Sequence, residues 1–297
     1  MINLKGMTHM NSIYSFPQSL QFNIGSAIDD AVKQFSKNNE GILGAIRSVA
    51  IRSIQGINWV LSSIPWFVLI IVVIYFGYRV SRKIYVGLLY GAMMFFIGAS
   101  GLWSHMIDTV SVVIAAVAIS LILGFPLGIL VAMSKRAENI IRPILDLMQT
   151  MPSFVYLVPA VMLFSIGIMP ALLATVIYSI VPMVRMTSHG IMHVDKEVKE
   201  AAIAFGSTKM QALVKVQIPQ AMPTIMTGVN QTIMMAMSMV VTCALIGAEG
   251  LGLEILIATN RVEMGKALLP GISIVIIAII FDRLTQGLIK KKEVAEQ

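Results

Sequence analysis

Glu200, Ala201 and Ala202, then Gly206, then Val216, Ile218 and Pro219 punctuate a short polar segment, residues 196–219, set between long apolar stretches. Residues of these types can perform mechanical rather than covalent chemistry. Two adjacent alanines let a short helix approach a partner surface closely. Gly206 permits a backbone turn that a Cβ would resist. Pro219 is expected to close the segment, because proline does not continue a helix. Glu-Ala-Ala alone fits any amphipathic loop helix; the complete spacing inside an otherwise apolar chain is what singles this one out.

Other candidate chemistries are weaker. His189 and His193 stand four apart and could share a helix face as metal ligands, but only Asp195 lies near enough in sequence to be a third, and a solvated loop explains them as well. No G-x-x-x-x-G-K-[ST] phosphate loop occurs, so nothing argues that this chain binds ATP. No Ser-His-Asp, Cys-His or H-E-x-x-H set falls in the apolar stretches. No catalytic residues, metal site or cofactor are therefore expected in the chain. Asp108 opens an apolar stretch, where a carboxylate suits a helix N-terminus. Asp282 and Arg283 sit near the end of another, as a functional pair or as groups reaching the interface.

Seven elements must position these residues. Of 297 residues, 57% are hydrophobic and only 12% charged, against about 25% in a soluble domain. A helix needs about 20 residues to cross roughly 30 Å of hydrocarbon. On that scale the apolar runs predict an all-α bundle with spans at 63–79, 84–103, 107–133, 149–167, 170–187, 222–247 and 268–288. Gly167 to Pro170 make the turn between the fourth and fifth spans. Gly124, Pro126 and Gly128 are candidates to bend the third. Seven crossings put 15 of the 22 Lys and Arg on the side that carries 196–219 and seven on the other. The positive-inside bias makes the richer side cytoplasmic, with the N-terminus outside and the C-terminus inside. The net charge of +7 follows from that bias and does not call for nucleic acid. The single cysteine, Cys243, rules out an intrachain disulfide.

Four regions follow: 1–60, 61–105 with two further spans, 106–290, and a charged tail at 291–297. Within the first, Ile24, Ile28, Val32, Phe35, Ile42, Ile46, Val49, Ile54 and Ile57 recur mostly every three or four residues beside Lys33, Lys37, Arg47 and Arg52. Asn38-Asn39 and Gly41 are expected to break that pattern into two helices. An apolar stripe with a basic face fits helices lying in the membrane interface, or a soluble extension packed on outer loops. No signal-peptide pattern is present.

In the sixth span Thr227, Gln231, Ser238 and Thr242 share one helical face, with Met235 completing it. Such a stripe is either a pore wall or glue between helices. Phe154, Tyr156 and Tyr178 are aromatic candidates beside the path, or packing and interface anchors. Glu249, Gly250 and Gly252 follow the sixth span and could form an outer gate or a receptor contact, or an ordinary turn.

The spacing in 200–219 resembles the coupling loop of permease subunits of ATP-binding-cassette importers, E-A-A-x3-G-x9-I-x-L-P, with Val216 and Ile218 as conservative departures. From about 108 to 288 the chain resembles glycine betaine/proline betaine permeases. The matching strings include Pro143 to Pro152, Phe154 to Pro159, Val216 to Met226, Gly228 to Thr232, Ser238 to Val241 and Asp282 to Gln286. The resemblance implies a type I importer permease fold and uptake of quaternary-ammonium osmoprotectants. It also implies a cytoplasmic ATP-binding subunit that carries ATP and Mg, an extracytoplasmic substrate-binding protein, and a membrane-embedded homodimer. Choline, carnitine and trimethylamine N-oxide systems are related and are not separated by it. An ion-coupled secondary transporter needs ionisable groups at mid-membrane, of which these spans are nearly empty.

Overall fold

A computed structural model describes residues 24–295; the first 23 residues of the 1–60 region, Lys5 among them, and the last two of the tail lie outside the described residues. The contacts divide the chain into two compact units, one ending at Gly44 and the other starting at Ala45. Helix α1 (Ile24–Asn38) belongs to the first, and α2 (Glu40–Ser63) begins there and continues into the second. The break between them falls where Asn38-Asn39 predicts it. The Asn39 backbone N–H and side-chain amide both donate to the Phe35 carbonyl, at 3.1 and 2.9 Å, and end the helix there.

Ile64-Pro65 ends α2, since the residue before a proline avoids helical geometry. The chain then turns by 94° into α3 (Trp66–Ser81). Helix α4 (Ile84–Ala99) returns against α3, with Gly87 beside Gly77 and Gly91 beside Ile74. Each has 16 residues, about 24 Å at 1.5 Å per residue. Helix α5 (Trp103–Met133) runs unbroken for 31 residues. Gly124, Pro126 and Gly128 do not end it. The two glycines lie instead where α5 crosses another helix.

The expected fourth span, 149–167, is not one helix. Residues from the preceding polar stretch form α6 (Lys135–Thr150), N-capped by the Ser134 hydroxyl, which accepts from the Ala137 N–H at 3.3 Å. At Met151-Pro152 the chain bends by 114° through a 3-10 turn (Ser153–Tyr156) into α7 (Leu157–Phe164). Eight residues cover about 12 Å, too little to cross alone. Pro152 removes a donor and constrains the residue before it, so a straight helix cannot pass this point. Ser165 and Gly167, with φ of 63° and 134°, make the turn into α8 (Ile168–Met192).

The bent pair still carries the chain across. Ser120 meets Ser179 at 3.0 Å, Gly124 faces Met183 and Gly128 faces Thr187. The constant offset makes α5 and α8 parallel, so residues 134–167 must return from one end of the bundle to the other. Helix α11 (Ile218–Thr242) is antiparallel to α8, with Gly228 against Met186 and Gly190 against Ala221 and Thr224. A 3-10 turn (Cys243–Ile246) and a ten-residue helix, α12 (Leu251–Asn260), follow at the far end. No sequence pattern announced α12. Helix α13 (Met264–Ala295) then runs back; the Asn230 amide donates to Asp282 at 2.8 Å, and Gly287 meets Val80 at the end of α3.

Among the described residues four helices are long and apolar enough to cross a membrane, or six crossings if each bent pair is one. Helix α4, shorter than these spans, connects the end of α3 near Gly287 with the start of α5 at the opposite end. The basic groups at 79–83, 135–142 and 185–215, and the end of α13, therefore share one end of the bundle.

Candidate functional site

The segment after α8 leaves the bundle at that shared end. Asp195 caps α9 (Lys196–Ala204) by accepting from the Glu197 N–H at 2.9 Å. Glu200, Ala201 and Ala202 sit on α9, which buries none of its residues. At its end Gly206 takes φ +84°, its N–H donates to Ile203 O at 2.9 Å, and the Ser207 N–H donates to Ala202 O at 3.1 Å. This is a Schellman cap, which satisfies carbonyls that the helix end would leave bare. Nothing lies within 4 Å of a Cβ built on Gly206. Glycine is therefore required by backbone conformation and not by lack of room.

The turn passes directly into α10 (Lys209–Ala212) through a capping box. The Gln211 N–H donates to Thr208 Oγ1 at 3.3 Å, and the Thr208 N–H donates to Gln211 Oε1 at 2.9 Å. A π-helical turn (Leu213–Gln217) links α10 to α11. Pro219 consequently does not end the segment, as its type suggested. It occupies the first turn of α11, where a missing N–H is harmless, and the π turn absorbs the carbonyl that its ring would strike. Thr208→Ala should cost about 1 kcal/mol of local helix stability. Hydrogen exchange should then report faster exchange of the 208–211 amides and unchanged exchange in α8.

The segment has two faces. Ala212, Leu213 and Gln217 are buried, and Leu213 joins a cluster with Met183, Ile191, Ala221 and Ile225 against which Val194 and Ile218 pack. On the other side Ile203, Met210 and Val214 are exposed, and Phe205 is 92% exposed. Residue-type spacing singles out Glu200 and the alanines, not this apolar patch. The available signal was a phenylalanine immediately before the capping glycine in a charged segment.

The stripe on α11 is real as a face. Thr227, Gln231 and Ser238 are exposed, and Met235 and Thr242 partly so. Thr227, Ser238 and Thr242 donate back to carbonyls four residues earlier, at 3.0, 3.1 and 3.4 Å. Among the described residues the Gln231 amide has no partner. The aromatic candidates separate. Phe154 is exposed. Tyr156 is buried in a cluster with Leu157, Ala160, Ala174 and Met239, and its hydroxyl donates to Met148 O. Tyr178 packs edge-on against it at 5.7 Å.

At the opposite end Gly250 and Gly252 are buried. A Cβ on Gly250 would strike Thr109, whose hydroxyl accepts from the Leu251 N–H at 2.9 Å, and one on Gly252 would meet the Val241 backbone at 3.1 Å. Their glycines serve close packing, whereas Glu249 is exposed beside a cavity. The imidazoles of His189 and His193 stack at 3.9 Å, and among the described residues no three His, Cys, Asp or Glu are grouped to hold a metal. Asp282 accepts from Asn230 and Gln286, which places it in a polar contact between α11 and α13.

Comparison with known proteins agrees with this geometry. Residues 124–294 match the family model described as binding-protein-dependent transport system inner membrane component. The chain is 42% identical to the glycine betaine/carnitine transport permease protein GbuB of Listeria monocytogenes serotype 1/2a (strain 10403S), covering 88% of this chain and 93% of GbuB. It is 45% identical to the glycine betaine/proline betaine transport system permease protein ProW of Escherichia coli K12, over 79% of this chain and 66% of ProW. An inward-facing structure of the MetNI methionine ABC transporter superposes with a TM-score of 0.57 at 18% identity, covering 68% of this chain and 98% of that one. This last likeness concerns the fold.

Proposed function

The chain belongs to the family of binding-protein-dependent transport system inner membrane components, and from that premise we propose that it takes up quaternary-ammonium osmoprotectants of the glycine betaine/proline betaine type. The observation that carries the mechanism is the two-faced segment 196–219. One face is locked into the bundle through Leu213 and Ile218, and the other offers Phe205, Ile203, Met210 and Val214, all exposed among the described residues. A partner gripping the bare face moves α8 and α11 together, because α9 follows one and α10 leads into the other. Glu200, Ala201, Ala202, Gly206, Ile218 and Pro219 shape that lever.

The partner on that face is a cytoplasmic ATP-binding subunit, which carries the ATP and Mg; this chain contributes no catalytic residue. The lever's end of the bundle is the basic one, which supports a cytoplasmic placement, an external N-terminus and a cytoplasmic C-terminus. A substrate-binding protein docks at the opposite end, near Glu249, Gly250 and Gly252. The exposed stripe of Thr227, Gln231, Met235, Ser238 and Thr242 supports a second copy of the chain. In lipid the Gln231 amide would lack any partner, whereas two such faces enclose a weakly polar path that a zwitterion can traverse by alternating access. Phe154 and Tyr178 flank this stretch. Tyr156 acts from behind by holding the Met148 carbonyl. GbuB and ProW are named for glycine betaine, with carnitine or proline betaine as the second solute; choice among such solutes belongs to the receptor.

Co-reconstitution of permease, ATPase and receptor in proteoliposomes tests this reading. Uptake of labelled glycine betaine should require ATP and all three components. Phe205→Glu should lower it at least tenfold with wild-type insertion, because a charge cannot be buried unpaired in an apolar contact. Uptake that persists without the ATPase would overturn the proposal.

A further inference from the structure

A cavity of about 600 Å³ opens at the end of the bundle remote from the lever, within the range of roughly 300–1,000 Å³ typical of small-molecule sites. Gln55, Asn58 and Trp59 reach it from α2, Asp108 from the start of α5, and Glu249 from the loop after α11. The Asn58 amide donates to Asp108 Oδ1 at 2.8 Å and fixes that carboxylate. Among the described residues Asp108 Oδ2 has no partner, and Glu249 has neither an ion pair nor a hydrogen bond. Among the described residues no Lys, Arg or His lines the space. Trp59 is 71% exposed.

We propose that this cavity is an outer vestibule that binds the methylated ammonium group of the solute. A quaternary ammonium has no N–H to donate. It is recognised by an aromatic face together with nearby negative charge. Trp59 supplies the first, and Asp108 and Glu249 supply the second. A divalent metal would gain nothing from the indole and prefers a shell of six or more oxygens. The vestibule gives α2 a role in transport. Four of its five named side chains precede residue 124, where the family match begins. The charge balance also sets an order: a net cation such as choline binds ahead of glycine betaine, whose own carboxylate is repelled by Asp108 and Glu249.

The inference rests on the importer reading above, and its test keeps the two apart. Calorimetry on the permease–ATPase complex in nanodiscs, without receptor, should detect choline. The neutral isostere 3,3-dimethyl-1-butanol should bind at least tenfold more weakly, and glycine betaine should bind between them. Trp59→Leu, Asp108→Asn and Glu249→Gln should each weaken choline several-fold in complexes that melt with the wild type. Equal binding of choline and its isostere to the wild-type complex, or no choline binding, would overturn the vestibule. So would variants that bind choline as the wild type does. ATP-dependent uptake measured on the same wild-type preparation separates the cases. Uptake intact without choline binding removes the vestibule alone, whereas uptake that ignores ATP removes the importer reading itself.

Discussion

Gly206→Val is expected to lower ATP-driven uptake at least tenfold while the chain reaches the membrane in normal amount. Gly206 holds φ +84° with open space around it, so no clash contributes. The whole effect comes from the backbone. A β-branched residue in the left-handed region costs on the order of 1–2 kcal/mol, and about 1.4 kcal/mol is a tenfold change in an equilibrium. The segment can escape that cost by abandoning the Schellman cap. The angle between α9 and α10 then changes, and Phe205 moves away from Met210 and Val214. Folding of the bundle is insulated, since α9 buries no residue. Gly206→Asn is the control, because asparagine tolerates this conformation; it should retain most uptake. The comparison needs ATPase rate and solute uptake measured together in proteoliposomes. Coupled, wild-type rates from the valine variant would show that the turn does not transmit force.

That result would also mark how much of the lever the sequence made legible. Gly206 and the alanines are recognisable because a capping glycine follows from local backbone geometry alone. The same holds for the break at Asn38-Asn39, the turn at Gly167 and the run of α5, each set by residues within a turn or two. Pro219 misled for an instructive reason. Its effect depends on whether the preceding turn can widen, and the π turn at 213–217 is not written in residue types. The fourth span failed because apolar length was read without Pro152, and counting each bent pair as one crossing gives six where the apolar runs predict seven. The burial of Tyr156 against Met239 and the partnering of Asp108 with Asn58 depend on contacts between residues far apart in the chain. Hydrophobic periodicity carries no signal for those.

The second large effect lies where α5 crosses α8. In membranes small residues let helices approach without a hydrophobic driving force between them. Gly124 and Gly128 form such a small-xxx-small pair on α5. A Cβ on Gly128 would stand 2.5 Å from the Thr187 Cβ and 2.9 Å from the Val184 carbonyl oxygen, and one on Gly124 would stand 3.0 Å from Met183. Thr187 is completely buried, so it has nowhere to withdraw. Gly128→Leu must push the helices apart along the seam that carries the Ser120–Ser179 contact. Overpacking of this kind costs about 1–3 kcal/mol or more. The expected outcome is loss of most folded permease, read as a collapsed monodisperse peak in fluorescence-detected size exclusion. Gly265→Leu, at a position with nothing within 4 Å, should leave the peak intact. The milder Gly128→Ala should fold at reduced thermal stability and, because α8 leads straight into α9, transport less at equal ATPase occupancy. A Gly128→Leu permease as stable as the Gly265→Leu control would mean that α5 and α8 are not held at this crossing. The lever would then have no rigid pair of helices to turn.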